Sequence, residues 1–290
     1  MFELHHLKGN SYYIDGPTNC GLYKLNDKDV VLIDCGTKQD SLKIYEVIKE
    51  HGFNVKYIIL THAHADHCGG ASLFLEKTHA KLITSKIERA FMRNDKLDIG
   101  YLYGGYPLDD FDTPLMHIEE QREIYPLSEI PSGLKSFKLK GHHYDMIGIK
   151  TDDDVYFVAD TLGSKTLVDT QHILLIYDVS GYLDSLKIVE ELDGNIIVPS
   201  HSKVTSSIKD LVEFNRNKIY EIMNVIINYL NEEHTAEDVS AYIFSYYNLH
   251  ISNNRYMLIM ATIRSYLSYL YHIDKIEHYF KDNKLYFHAK

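Results

Sequence analysis

The stretch KYIILTHAHADHCGG, residues 56–70, decides the reading of this chain. Its apolar run Tyr57 to Leu60 predicts a strand buried on both faces, ending at Thr61. Four side chains able to bind metal follow within six residues: His62, His64, Asp66 and His67. If strand geometry persists, alternation points His62 and His64 the same way, while Asp66 and His67 address a second point nearby. In a chain with 17 histidines a lone HxH can arise by chance. HxHxDH directly after a buried strand and before Gly69-Gly70 is a different matter: neutral imidazole with carboxylate suits zinc, iron or manganese, and so dense a cluster would repel itself on protonation unless a metal neutralised it.

Three further positions each end an apolar run: His142 after Phe137 to Leu139, Asp160 after VYFVA, and His201 after NIIVPS. Carboxyl ends of strands are where layered folds place their chemistry.

The ordered set HAHADH (62–67), GHHYDMIG (141–148), ADTL (159–162) and PSHS (199–202), with LIDCG (32–36) before it, resembles the metallo-β-lactamase superfamily over about residues 1–205. That resemblance implies an α/β fold, the αββα sandwich, with a two-metal hydrolytic site. By carry-over His62, His64 and His142 hold the first metal, Asp66, His67 and His201 the second, and Asp160 bridges them. Asp34 falls where the family keeps an acidic residue behind a ligand imidazole, and Cys68 is expected to be buried behind the ligands. Asp66 and Asp160, the carboxylates nearest the chemistry, then act as ligands rather than free general bases. The neighbours differ from the family's usual ones: His143 and Tyr144 follow His142 where GHT is frequent, Ala159 stands where Gly is common, and Ser200 and Ser202 flank His201. His143 and Tyr144 are therefore candidates to touch substrate, with packing as the alternative role.

Net charge is −11. Residues 206–290 contain nine Lys or Arg and ten Asp or Glu, so about −10 falls on the first 205, a field that disfavours a polyanionic nucleic-acid partner. Three cysteines suggest no disulfide framework, and neither an 18-residue apolar run nor a basic apolar leader at Met1 is seen, so the expectation is a cytoplasmic protein with no membrane partner and a small-molecule substrate.

Taken in order, residues 11–15, 21–25 and 29–34 predict opening strands, 41–51 a helix, 57–60 a strand, 71–76 a helix, 82–83 a short strand and 86–91 a helix start. Residues 93–131 lose periodicity under Gly100, Gly104, Gly105, Pro107, Pro114, Pro126 and Pro131, and are expected to form a lid or cleft wall. Strands are expected at 135–140, 146–150, 155–159 and 196–198, and a helix at 182–192. The tail, 206–290, shows helical spacing over 218–230, a helix capped by Thr235 with Asp238 three residues on, a longer helix over 256–269, and a hairpin about Lys281-Asp282-Asn283. Helices followed by a hairpin look like a winged-helix module; the same arrangement is similar to tails on glyoxalase II-like hydrolases and on an animal mitochondrial endoribonuclease of the superfamily. Few cations on the long helix point to a structural or substrate-shaping role, with Arg255 and Arg264 as candidates for an anionic part of a substrate, and a homodimer stays open.

The expected function is metal-dependent hydrolysis in which a hydroxide bridging two divalent transition metals, zinc first and iron or manganese as alternatives, attacks an acyl centre, foremost a thioester of the hydroxyacylglutathione-hydrolase type. The alternatives are a lactonase or a metal-dependent phosphodiesterase or ribonuclease, and, from another class, a non-catalytic metal-binding or winged-helix interaction protein.

Overall fold

The computed structural model describes residues 2–113, 116 and 118–290. Met1 and Pro114, both used in the sequence reading, lie outside the described residues. The first sheet has the order β1 (Leu4–Lys8), β2 (Ser11–Ile14), β3 (Cys20–Lys24), β4 (Asp29–Ile33), β5 (Asn54–Ile59), β6 (Lys81–Ile83) and β7 (Ile124–Tyr125). It is antiparallel up to β4 and parallel from there on. The second sheet contains β8 (Leu134–Lys138), β9 (Ile147–Thr151), β10 (Val155–Phe157) and β11 (Ile196–Val198), with only β10 and β11 parallel.

Alternation explains the layering. In β4, Val31 and Ile33 join Ile59, Ile149 and Phe157 in the core between the sheets. Val30 and Leu32 point the other way, to a core shared with α1 (Ser41–Glu50) and α3 (Ala71–Thr78), which follows the single turn α2 (Ala65–Cys68). Central strands covered on both faces need apolar residues at every position, and each such side chain contributes roughly 1.5–3 kcal/mol relative to exposure. α4 (Lys86–Met92) and α5 (Lys96–Tyr103) complete the first half.

On the outer face of the second sheet, α6 (Lys165–Gln171) and α7 (Val179–Glu190) precede a mostly helical C-terminal module of α8 (Lys209–Tyr229), α9 (Ala236–Tyr246) and α10 (Asn253–His272), closed by the hairpin β12 (Ile276–Lys281) and β13 (Lys284–Ala289). One apolar cluster joins Leu186 and Val189 of α7 to Ile219 and Ile226 of α8, Ile243 of α9 and Ile263 of α10, so the module shares a core with the sandwich. Asn215 fastens the two polar frames together: its side chain accepts from Gly163 N at 3.0 Å and donates to Gly163 O at 2.9 Å, three residues beyond Asp160. Thr235 and Asp238 form the expected capping box of α9.

Several elements, β7 and α6 among them, lie outside the sequence expectation, and three show the reason. Residues 93–131 are not without regular structure: α5 forms across Gly100, burying Ile99 and Leu102 and ending at Gly104 in the left-handed region. β1 lies outside the expected strands because it is half-exposed and polar, and its His5 and His6 rings pack across the strand pair on Tyr13 and Tyr12. α8 begins nine residues before the predicted start, its first turns carrying the polar Asn215 on the buried face. No helix among the described residues is long and apolar enough to cross a membrane.

Candidate metal centre

Ends of strands from both sheets deliver the site. Asp34 follows β4, Thr61 to His67 follow β5, His142 follows β8, Asp160 follows β10 and His201 follows β11. Gly141 shows how tightly one of these turns is specified: it has φ +115°, and a Cβ there would stand 2.1 Å from the backbone nitrogen of Tyr182. Only glycine fits both demands.

Three groups of ligand atoms result, two built from the expected residues and a third, His64 with Asp98 and His143, behind the first. In the first, Nδ1 of His64 lies 2.9 Å from Nε2 of His62 and 2.9 Å from Nε2 of His142. In the second, Nε2 of His67 lies 3.0 Å from Oδ1 of Asp160 and 3.5 Å from Oδ2 of Asp66, while Nε2 of His201 is 3.2 Å from both Asp66 Oδ2 and Asp160 Oδ2. Asp160 also reaches the first group, its Oδ2 standing 3.4 Å from Nε2 of His142.

The far side of four rings is fixed by acceptors. Nδ1 of His67 donates to Asp34 at 2.8 Å, Nδ1 of His142 to the Leu175 carbonyl at 2.9 Å, and Nδ1 of His201 to the Pro17 carbonyl at 2.9 Å. The Thr61 hydroxyl gives its one hydrogen to Asp34 at 2.8 Å, so it accepts from Nδ1 of His62 at 3.0 Å. All four therefore turn Nε2 inward. Thr18 donates to Asp66 at 2.9 Å and sets that carboxylate as well.

The donor set fits two divalent transition ions. His67 Nε2 and Asp160 Oδ1 are buried and face each other without a hydrogen bond or any other hydrogen-bond partner. Three imidazole nitrogens converge in the first group with no carboxylate to neutralise a proton at its centre except Asp160 at its edge. Burial, followed by the neighbouring imidazoles, holds His62 and His64 well below the usual imidazole range, and burial also lowers His142 against the pull of Asp160. In the second group burial pushes the same way, yet Asp160 and Asp66 win: His67 is raised well above its ordinary value and His201 is pushed up to about 10. Burial would raise Asp66 and Asp160, but the facing histidines hold both carboxyls below the ordinary range. The clusters have the composition of a binuclear metallo-hydrolase active site.

The remaining candidates separate. Tyr144 stacks on Tyr177 with centroids 3.8 Å apart, and with Tyr101 and Arg264 it lines a cleft of about 770 Å³ between α5, the start of α7 and α10. The cleft abuts the turn carrying His142, through Tyr144 and Leu175, although no ligand side chain is among its lining residues. His143 is fully buried, with Glu88 2.7 Å from Nδ1 and Asp98 3.4 Å from Nε2, so it faces carboxylates and not the cleft. Arg255 is spent on Gln171 at 2.8 Å and the His250 carbonyl at 3.2 Å, and is absent from the cleft. Cys68 packs in the apolar core with its thiol pushed up by burial, which leaves no thiolate nucleophile there. Sequence reasoning missed Glu88 and Asp98. Glu88 shares the i, i+3, i+4 face of α4 with buried Phe91 and Met92, and a carboxylate on an apolar face is the signal that could have found it.

The sequence model of the metallo-beta-lactamase superfamily matches residues 13–201. The chain belongs to the metallo-β-lactamase superfamily. Within it, the chain is similar to the hydroxyacylglutathione hydrolase GloC of Haemophilus influenzae, 24% identical over 189 residues that cover 65% of this chain and 87% of that protein. It is also similar to a beta-lactamase-like protein 2 homolog of Caenorhabditis elegans, 25% identical over 205 residues, 69% of this chain and 60% of that one. Among solved structures, a beta-lactamase domain protein from Burkholderia ambifaria aligns with a TM-score of 0.73 at 14% identity over 99% of this chain and 93% of its own. A metallo-beta-lactamase family protein from Thermus thermophilus aligns at 0.72 and 16% identity over 100% of this chain and 98% of its own. At such identities the likeness is one of fold, and it extends over the C-terminal module as well as the superfamily sandwich.

Proposed function

We propose that this metallo-β-lactamase-superfamily chain hydrolyses a thioester of the hydroxyacylglutathione type, using two divalent ions of which zinc is the first choice and iron or manganese the alternatives. The carrying observation is the sharing of Asp160 between two oriented clusters, with His62, His64 and His142 on one side and Asp66, His67 and His201 on the other. Bound there, the ions supply an activated water nucleophile and Lewis-acid polarisation of an acyl carbonyl. The chain itself positions them: Asp34, Thr61, Leu175 and Pro17 hold the ring tautomers, and Asp160 spans both clusters.

The similarity to GloC supports the thioester reading, as does the acidic character of residues 1–205, which disfavours polyphosphate substrates. We read residues 1–205 as the catalytic unit and 206–290 as a winged-helix-like cover, with 93–131 supplying a cleft wall through Tyr101. We assign to Arg264, which lines the cleft and lies 3.4 Å from Glu237, the binding of an anionic end of the substrate. Three buried free cysteines accord with a reducing compartment, and we place the chain in the cytoplasm. A panel of thioester, lactone and phosphodiester substrates, run on zinc, manganese and iron forms, tests the reading. Thioester turnover should dominate, and preferential phosphodiester cleavage would overturn the substrate assignment.

A further inference from the structure

The strongest unexplained feature outside the two clusters is a row of buried ionisable side chains behind His64. Glu88 has no exposed surface. Its Oε2 accepts from the backbone nitrogen of Ala63 at 3.0 Å and lies 2.7 Å from Nδ1 of His143, while its Oε1 accepts from the nitrogen of Asp145 at 2.8 Å. Nε2 of His143 stands 3.4 Å from Oδ1 of Asp98, and that same oxygen is 3.9 Å from Nε2 of His64. Phe91 closes over the His143 ring at 4.7 Å.

Burying two carboxylates is costly, and an apolar trio of similar volume would stabilise a core at least as well. The contacts indicate what the charge is used for. Ala63 lies between the ligands His62 and His64, and Asp145 follows the ligand His142 by three residues. One carboxylate thus clamps the two ligand-bearing turns, which come from different sheets, in a single register. His64 is the one histidine of the two clusters whose far nitrogen has no hydrogen-bond partner. Asp98 is the carboxylate facing that nitrogen, at 3.9 Å an ion-pair and not a hydrogen-bond distance, with the same oxygen bonded to His143.

We propose that Glu88, His143 and Asp98 form a positioning unit for the first metal cluster, Glu88 fixing the two turns and Asp98 turning Nδ1 of His64 inward. This rests on the reading of the clusters as metal sites. It implies that the two sites respond differently to damage in the unit, since none of its members touches Asp66, His67 or His201.

The test uses the full chain loaded with cobalt(II), followed by chelator competition and by its ligand-field absorption. In E88Q, which keeps the side-chain shape, the first site should weaken by about 10- to 100-fold while the second keeps its affinity. D98N should change the ligand-field bands of the first site with little effect on the melting temperature. Should E88Q fail to fold, D98N and H143N carry the same comparison. Folded variants that bind both ions with wild-type affinity and spectrum would overturn the inference, as would a third ion per chain lost in E88Q, which would make the trio a ligand set. A wild-type chain that binds no cobalt would remove the metal reading itself, an outcome distinct from unaltered variants.

Discussion

Oδ2 of Asp160 lies 3.4 Å from Nε2 of His142, although the rest of Asp160's partners belong to the other cluster. A single carboxylate thus faces histidines of both groups, and on the proposed reading it sets the separation of the two sites. In D160A one ion should be lost and hydrolysis should fall by at least about a thousandfold, because misplacing the reacting groups raises the barrier by several kcal/mol. Circular dichroism should show a retained fold. Wild-type turnover in a folded D160A would remove Asp160 from its assigned place.

Asp34 accepts from Thr61 N, Thr61 Oγ1 and His67 Nδ1, each at 2.8 Å, while fully enclosed and at φ +58°. D34A leaves three buried donors without an acceptor, so denaturant unfolding should show a loss of about 3 kcal/mol or more. His67 would lose its tautomer lock, and the second site should weaken more than the first. The first site should weaken less, through Thr61 and His62, and a second site of wild-type affinity in D34A would remove Asp34 from its assigned role.

The pKa pattern predicts an asymmetric proton count. His201, pushed up to about 10, and His67, raised well above its ordinary value, carry protons in the metal-free chain at neutral pH, whereas burial keeps His62, His64 and His142 neutral. Filling the second site should expel about two protons and filling the first almost none, readable by calorimetry in buffers of different ionisation enthalpy. The raised His67 and His201 stabilise the metal-free fold fully below the unfolded imidazole value of about 6.5, and that contribution disappears as pH rises through about 10 for His201. Metal-free chain should therefore lose melting temperature on the alkaline side of neutrality. A flat profile between pH 7 and 10 would contradict the assignment.

Arg264 and Arg255 make a paired comparison, because the first lines the cleft, with Glu237 3.4 Å from its guanidinium, whereas the second lies outside it, bonded to Gln171 and the His250 carbonyl. R264A should raise KM for an anionic thioester about tenfold with kcat nearly unchanged, the signature of a lost charge-assisted contact made equally in ground and transition states. R255A should leave KM alone. Steeply salt-dependent RNA binding that flattens when both arginines are removed would instead favour a nucleic-acid substrate.

Much of the fold and ligand geometry could be read from the chain because both depend on local patterns. Val30 to Ile33 and Tyr57 to Leu60 are apolar at every position, as strands covered on two faces must be, and the ligands lie in the turns that follow strand ends. The roles of His143 and Arg255 were not legible, since their partners, Glu88, Asp98 and Gln171, are brought to them by packing across 45 to 84 positions of sequence. α5 was hidden by Gly100, which tertiary burial of Ile99 and Leu102 overrides. Nothing in local sequence marks a carboxylate as one that will clamp two turns; only the face it shares with Phe91 and Met92 hints that Glu88 points inward.

The most direct test of the account is the number of transition-metal ions bound per chain, measured by elemental analysis of gently purified protein and followed as the metal-free form is reloaded. About two ions per chain are expected, with thioester hydrolysis absent at zero and maximal only as the second site fills. A folded chain that hydrolyses the thioester fully with no transition metal bound would contradict it.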